Sequence, residues 1–318
     1  MRLAILLVAG VLAVPPPSLS AQHPVPSNGQ WLIDPSDHAG KVQLTVRYGE
    51  AGRGNRYSSN WGQDVPLSEL VGLSAAGMSG AGSTVRFKIV RSAGTLDCEG
   101  WFDGGRGSGH FTYEPNAEFV AELAKRGINA PTAWEQFEMT IAGVGLELLD
   151  ELQRQGYDRP VAGELARMAT HGVDLEYVRD LGARGYKMKE SESLVRMRDH
   201  GVDEDFIESL DSAGYKNLSA EDLVRLRDHG VDGDYIADMK DAGYAPANPE
   251  DLVESRDHGV DANYIRSLKE AGYGSLSLQE LRRARDHGVT RGFIQRVKAR
   301  GYGTPSIDEV IRLRDRGL

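Results

Sequence analysis

From Lys41 to Tyr113 the apolar residues recur at every second position. Val42, Leu44 and Val46 fall on one side of the chain and Gln43, Thr45 and Arg47 on the other. Val85, Phe87 and Ile89 alternate with Arg86 and Lys88, and Leu96, Cys98, Gly100 and Phe102 alternate with Asp97, Glu99 and Trp101. A period of two over such lengths predicts strands with one buried face. No stretch long enough for a crossover helix separates the later strands, so they should pair antiparallel. The expectation for 41–115 is a small antiparallel β sandwich or open barrel, with loops near 49–60, a hairpin turn in the glycine run 104–109 and a short helix within 66–76. Residues 22–40, rich in Pro, Gly, Ser and Asp, read as a linker or a loose first strand.

After Asn116 the period changes to that of a helix and a longer repeat begins. Arg198-Asp199-His200-Gly201-Val202 returns at Arg227, Arg256 and Arg285, each time 29 residues on, and a Gly-Tyr pair keeps the same step from Gly156-Tyr157 to Gly301-Tyr302. Within one unit Ser219 precedes Ala220-Glu221-Asp222, a capping box in which the Asp222 side chain reaches back to the cap. Leu223, Val224 and Leu226 form the apolar stripe of a first helix, which Gly230 ends in a left-handed residue with Val231 folded back, a Schellman ending. Asp232 then caps a second helix carrying Tyr235, Ile236 and Met239 on one face. Residues 116–318 divide into seven such periods, starting on a second helix and ending on a first. Helices this short do not stand alone in water, and each hairpin has an apolar face that only its neighbours can cover. The fold class expected is therefore α+β in two domains, a β domain followed by an α-solenoid of helix-turn-helix repeats.

Bulk properties add the setting. Met1-Arg2, an apolar run from Leu3 to Val14 and Ser18-Leu19-Ser20-Ala21 have the form of a cleaved export signal over residues 1–21. The run is shorter than the roughly 20 residues of a spanning helix, so no stable membrane insertion is expected once the signal is removed, and the mature protein should be periplasmic or secreted. Cys98 is the single cysteine, so no internal disulfide can form. Its place in an alternating strand suggests a buried, inert thiol. Of the net charge of −10, residues 116–318 carry 28 basic against 38 acidic side chains, so the repeats are the acidic part. Acidity speaks against a nucleic-acid partner, which wants a basic stripe.

The chemistry most open to a functional reading is the repeated triplet: Arg198, Arg227, Arg256 and Arg285; Asp199, Asp228, Asp257 and Asp286; His200, His229, His258 and His287. As scaffold, a cation near a helix C-terminus offsets its dipole, and an Asp of one unit can pair with an Arg of the next. As a metal site, ladder imidazoles roughly 10 Å apart could not share an ion whose ligands stand about 2 Å away. The reading is therefore a structural ladder with no metal and no cofactor. No motif of a hydrolase or metallopeptidase occurs, and the glycine run before His110 lacks the ending of a phosphate loop. Contact residues are expected instead where the units vary, as at Lys187, Lys189, Glu190 and Arg282. The alternatives are an enzyme with a site near His110 and Glu114, between the β domain and the first repeats, and a metal-binding protein using the His ladder.

The run Gly109-His110-Phe111-Thr112-Tyr113-Glu114-Pro115-Asn116, passing into Phe119-Val120-Ala121-Glu122-Leu123 and the repeats, resembles extracytoplasmic repeat regions of bacterial proteins of unassigned role, some of them tails of membrane metallopeptidases of the β-lactam-sensor type. The likeness spans 41–318 and includes no peptidase domain. It implies an envelope sensing or regulatory module that binds another protein or peptide, and it transfers no catalytic residue.

Overall fold

The structure is a computed structural model that describes residues 27–49, 59–80, 82–186, 188–246 and 248–318; residues 1–21, read above as an export signal, and most of the 49–60 loop lie outside them. The chain divides into two units: residues 1–88 with 96–113, and residues 89–95 with 114–318.

The first unit is one curled antiparallel sheet, a half-barrel. Its strands are β1 (Asn28–Pro35), β2 (Lys41–Tyr48), β3 (Ser59–Pro66), β4 (Leu70–Val71), β5 (Ser83–Arg91), β6 (Gly94–Asp103) and β7 (Arg106–Pro115), in the order β3-β2-β1-β7-β6-β5-β4. The open-barrel form of the expectation is the one observed. Of the two readings of 22–40, a linker or a loose first strand, the described part is a strand and not a linker: β1 lies inside the sheet, between β2 and β7. Composition hid it, because Gln30, Leu32 and Asp34 line one face while Trp31 and Ile33 are fully buried on the other. The short helix expected within 66–76 is a single 3-10 turn at Leu67–Glu69 and the later α1 (Ala75–Ser79), capped by the Ser74 hydroxyl. The glycine run makes the β6–β7 turn at Gly104 and Gly105, both at positive φ.

Trp31 organises the core of this sheet. It faces Gly109 across the β1–β7 pair, and a Cβ on Gly100 would collide with its ring. Its Nε1–H donates to the carbonyls of Glu99 and His110, both at 3.2 Å. The ring stands edge-on to Phe87 with centroids 5.0 Å apart and tilted against Phe102 at 5.7 Å. Gly100 is thus required beside the largest side chain of the core, which fills the room it leaves, and Gly109 is required by the close approach of the β6 backbone at Glu99 and Gly100.

Among the described residues the second unit holds fourteen α-helices, from α2 (Ala117–Lys125) to α15 (Ile307–Asp315), as seven first-and-second pairs offset by half a unit. The first helices are α3 (Ala133–Ala142), α5 (Ala162–Thr170), α7 (Ser191–Asp199), α9 (Ala220–Asp228), α11 (Pro249–Asp257), α13 (Leu278–Asp286) and α15. The second helices are α2, α4 (Leu146–Gln155), α6 (Leu175–Ala183), α8 (Glu204–Ser212), α10 (Gly233–Asp241), α12 (Ala262–Glu270) and α14 (Arg291–Val297). Each first helix packs on the next first helix and, from α4 on, each second on the next second, and one apolar core that includes Phe119 and Leu123 of α2 runs the length of the array. Most helices have nine residues, below the roughly 12–15 at which an isolated helix becomes even marginal. Their stability is supplied by stacking.

The ends of the helices follow from single residues. Asp174, Asp203, Asp232 and Asp261 accept the backbone N–H three residues on, at 2.7–2.8 Å. Removing one such cap, Asp232→Ala, is expected to cost about 1 kcal/mol, read as a lowered urea midpoint with an unchanged slope. Ser277 and Glu280 close a full capping box. At Ser219 the return contact goes to the hydroxyl at 2.6 Å, because Asp222 is one methylene shorter than Glu. At the other end of α9, Val231 N–H donates to Leu226 O at 2.9 Å and Gly230 N–H to Arg227 O at 3.1 Å, the Schellman pair.

The tip of the β5–β6 hairpin belongs to this second unit. Ala93 is buried in the helical core, Asn116 Nδ2 donates to Ser92 O at 3.0 Å, and the buried Gln136 donates to Ala93 O at 2.8 Å. Arg91 donates to the carbonyls of Thr140 and Ile141 at the end of α3 and lies over Gly143.

Candidate functional site

Every member of the repeated pentapeptide is used between one unit and the next. His171, His200, His229, His258 and His287 each set Nδ1 against the Asp 28 residues on. Four of these separations are 2.6–2.7 Å, and His171 with Asp199 makes the fifth rung. The exchange expected between Asp and Arg of successive units does not form: Asp takes the imidazole, and Arg goes elsewhere. Arg198 Nε donates to Gly172 O at 3.0 Å, satisfying a carbonyl in the turn after α5. Its guanidinium lies 4.7 Å from the centroid of the Tyr177 ring. Arg256 over Tyr235 and Arg285 over Tyr264 repeat this at 4.8 Å, Arg227 over Phe206 at 4.9 Å. The hydroxyls of those tyrosines donate to the Val carbonyl of the following unit: Tyr177 to Val202, Tyr235 to Val260 and Tyr264 to Val289. Burial pushes all three phenols up, Tyr235 and Tyr264 to about 12, so they stay donors at any ordinary pH.

A second row of cations serves the other helix ends. Lys240, Lys269 and Lys298 donate to the carbonyls of Ala213, Ala242 and Ala271 at the ends of α8, α10 and α12. A third row joins Arg167 to Glu192, Arg196 to Glu221, Arg225 to Glu250 and Arg283 to Asp308. This row skips one unit, and the skip accounts for Arg282. Glu254 stands where the others have Arg, Gln279 stands where its acidic partner belongs, and Arg282 takes a position held by Val195, Val224 and Val253. Arg282 turns to Glu254 at 2.9 Å and Asp251 at 3.5 Å, with its side chain only 14% exposed. The expectation of Arg282 as an open contact residue is corrected: its charge is spent within the array.

The other variable positions differ among themselves. Lys189 is open to solvent and stands 4.0 Å from Asp158. Glu190 occupies the cap position of α7 without a side-chain cap bond. Lys187 lies outside the described residues. His110 and Glu114 sit four residues apart on β7, about 13 Å along an extended strand, so the pair named for an enzyme site does not meet. Among the described residues no three His, Cys, Asp or Glu side chains converge as a metal ion would require. Cys98 is fully buried, and desolvation pushes its thiol far up. Ser36, His38 and Asp64 do come together, with His38 Nδ1 and Ser36 Oγ each 2.7 Å from Asp64 Oδ2. Here Ser and His share one carboxylate oxygen, the wrong order for a hydrolytic triad. The Ser36 hydroxyl also accepts the His38 N–H at 3.0 Å, so the group is a turn between β1 and β2.

What the residue-by-residue reading missed is a strip along the second helices. Its charge changes from unit to unit while the scaffold stays the same. α8 carries Glu204, Asp205, Glu208 and Asp211 with no base, and α10 carries Asp234, Asp238 and Asp241 beside Lys240. α14 carries Arg291 and Arg296 with no acid. The acidic end is crowded: the bond that the protonated Glu204 carboxyl donates to Asp180, then the charge of Asp180, burial and the charges of Asp205 and Glu176, hold the Glu204 carboxyl above the usual range. The signal was present as a drift in charge at fixed repeat positions, which a search for motifs does not register. No helix among the described residues is long and apolar enough to cross a membrane. No protein-family model matches this chain, and no curated protein matches it in sequence.

Proposed function

We propose that this chain is an exported, non-enzymatic scaffold that binds another protein or peptide of the cell envelope along the exposed strip of its second helices. One observation carries the reading. The residues that repeat are consumed by contacts between units, whereas the exposed residues of α8, α10 and α14 differ in charge from unit to unit, and only some of them (Glu208 and Asp211 with Arg184, Arg291 with Glu270) pair with a neighbouring unit. A solenoid that only needed to stand would have no reason to sort its surface in this way. Opposite charge on the partner would steer it to the strip and fix its direction along the array. The export signal over residues 1–21 and the likeness to extracytoplasmic repeat regions support an envelope setting, as part of a sensing or regulatory system.

The test is capture from periplasmic extract with the full mature chain and with a variant carrying Glu204→Lys, Asp205→Lys and Glu208→Lys. A partner held by the first and released by the second, with helical circular dichroism unchanged, supports the proposal. Identical retention by both, or no specific retention by either, overturns it.

A further inference from the structure

The polar face of the β sheet carries a second feature that the scaffold role does not use. Alternation turns Gln30 and Leu32 of β1, Thr84 of β5, Glu99 and Trp101 of β6, and Ser108 and His110 of β7 away from the core. Together they line an open depression of about 690 Å³, within the roughly 300–1,000 Å³ of small-molecule sites. Trp101 is 52% exposed, on a face where the strand pattern places mostly polar residues beside Leu32 and Val90. Beneath it the backbone at Gly100 and Gly109 forms the floor, held from the buried side by the Trp31 indole N–H on the carbonyls of Glu99 and His110.

We propose that this depression binds a neutral pyranose ring stacked on Trp101. The argument is by chemistry of the lining. An indole face is apolar and slightly negative, and it accepts a ring that presents C–H groups on one side and hydroxyls around its edge. Around the indole stand groups able both to donate and to accept: the Gln30 amide, the Thr84 and Ser108 hydroxyls and the His110 imidazole. Among the described residues the Trp101 indole N–H, the Gln30 amide and the His110 ring have no protein partner, so they are free for a ligand. Charge decides against an ionic sugar or a nucleotide. Glu99 Oε1 is matched by Arg86 Nη2 at 2.6 Å, which leaves the depression with no unpaired fixed charge of either sign, and the chain as a whole stands at −10. An apolar ligand would find only Leu32 besides the indole. The site lies wholly within the β unit and is independent of the binding role of the helices.

The experiment is saturation-transfer NMR on the full mature chain with cellotriose, maltotriose and chitotriose as neutral probes and a sulfated trisaccharide as the anionic control. At least one neutral probe is expected to receive saturation, with the signal lost in Trp101→Ala and its affinity weakened about tenfold in Gln30→Ala, the value of one well-made hydrogen bond. Trp101 is exposed, so its replacement should leave thermal unfolding unchanged, and that is measured alongside. Transfer to no neutral probe, transfer that persists in Trp101→Ala, or transfer to the sulfated probe alone overturns the proposal.

Discussion

Replacing Trp31 with alanine is expected to abolish cooperative folding of the β unit while the helical unit keeps its circular dichroism. Three losses add. The truncation of a fully buried tryptophan leaves a cavity that costs about 3–5 kcal/mol. The carbonyls of Glu99 and His110 lose their shared donor, and the inward-facing Gly100 and Gly109 have no side chain with which to fill the gap. Against a total of about 5–15 kcal/mol for a domain, this is most of the margin. Cys98 supplies the readout. It is fully buried in the same sheet, and burial keeps its thiol protonated, so the native chain should react with a disulfide reagent only through opening. In Trp31→Ala the reaction should become fast, whereas Trp31→Phe should retain partial protection, because a ring still packs on Phe87 although the two carbonyls go unserved. Unchanged protection of Cys98 in the alanine variant would show that Trp31 is not what holds the sheet together.

Leu223→Ala should produce the second large effect, and a local one. Leu223 is fully buried in α9, between α7 and α11, so its truncation should cost about 2–5 kcal/mol. In an array stabilised by nearest-neighbour interfaces the loss should concentrate in α7, α9 and α11, seen as faster amide exchange there and little change in α3 or α15. His200→Ala provides the comparison. Its partner Asp228 and the imidazole are each about 40% exposed, and such pairs are worth about 0–1 kcal/mol. Apolar burial therefore outweighs the ladder in stability, and the ladder acts on how one unit is oriented to the next. Equal destabilisation by the two substitutions would reverse that order.

Much of the helical unit was legible beforehand because its determinants are local. Asp232 caps the helix that begins beside it, Gly230 ends the one before it, and repetition shows the same arrangement several times over. The partners of the ladder were not legible. Asp228 could meet a cation of the next unit or the imidazole of the preceding one, and the choice depends on the offset and rotation between hairpins. Arg282 illustrates the same limit: its departure from Val looked like freedom from the scaffold, and it is a compensating pair with Glu254 across the stack. In the sheet, alternation marked the strands that repeat apolar residues cleanly, while β1 was obscured by the Gly, Pro and Asp around it.

By itself the sequence determined where helices start and stop, that they are too short to live alone and that they must therefore stack, since caps, left-handed glycines and apolar stripes act within a few residues. Only the tertiary structure decided which imidazole meets which carboxylate, that β1 lies inside its sheet between β2 and β7 and that the Trp31 ring occupies the space left by Gly100 on another strand. Those contacts join residues 28 to 79 positions apart, and their energy exists only once the backbone has brought the partners within hydrogen-bond or van der Waals range.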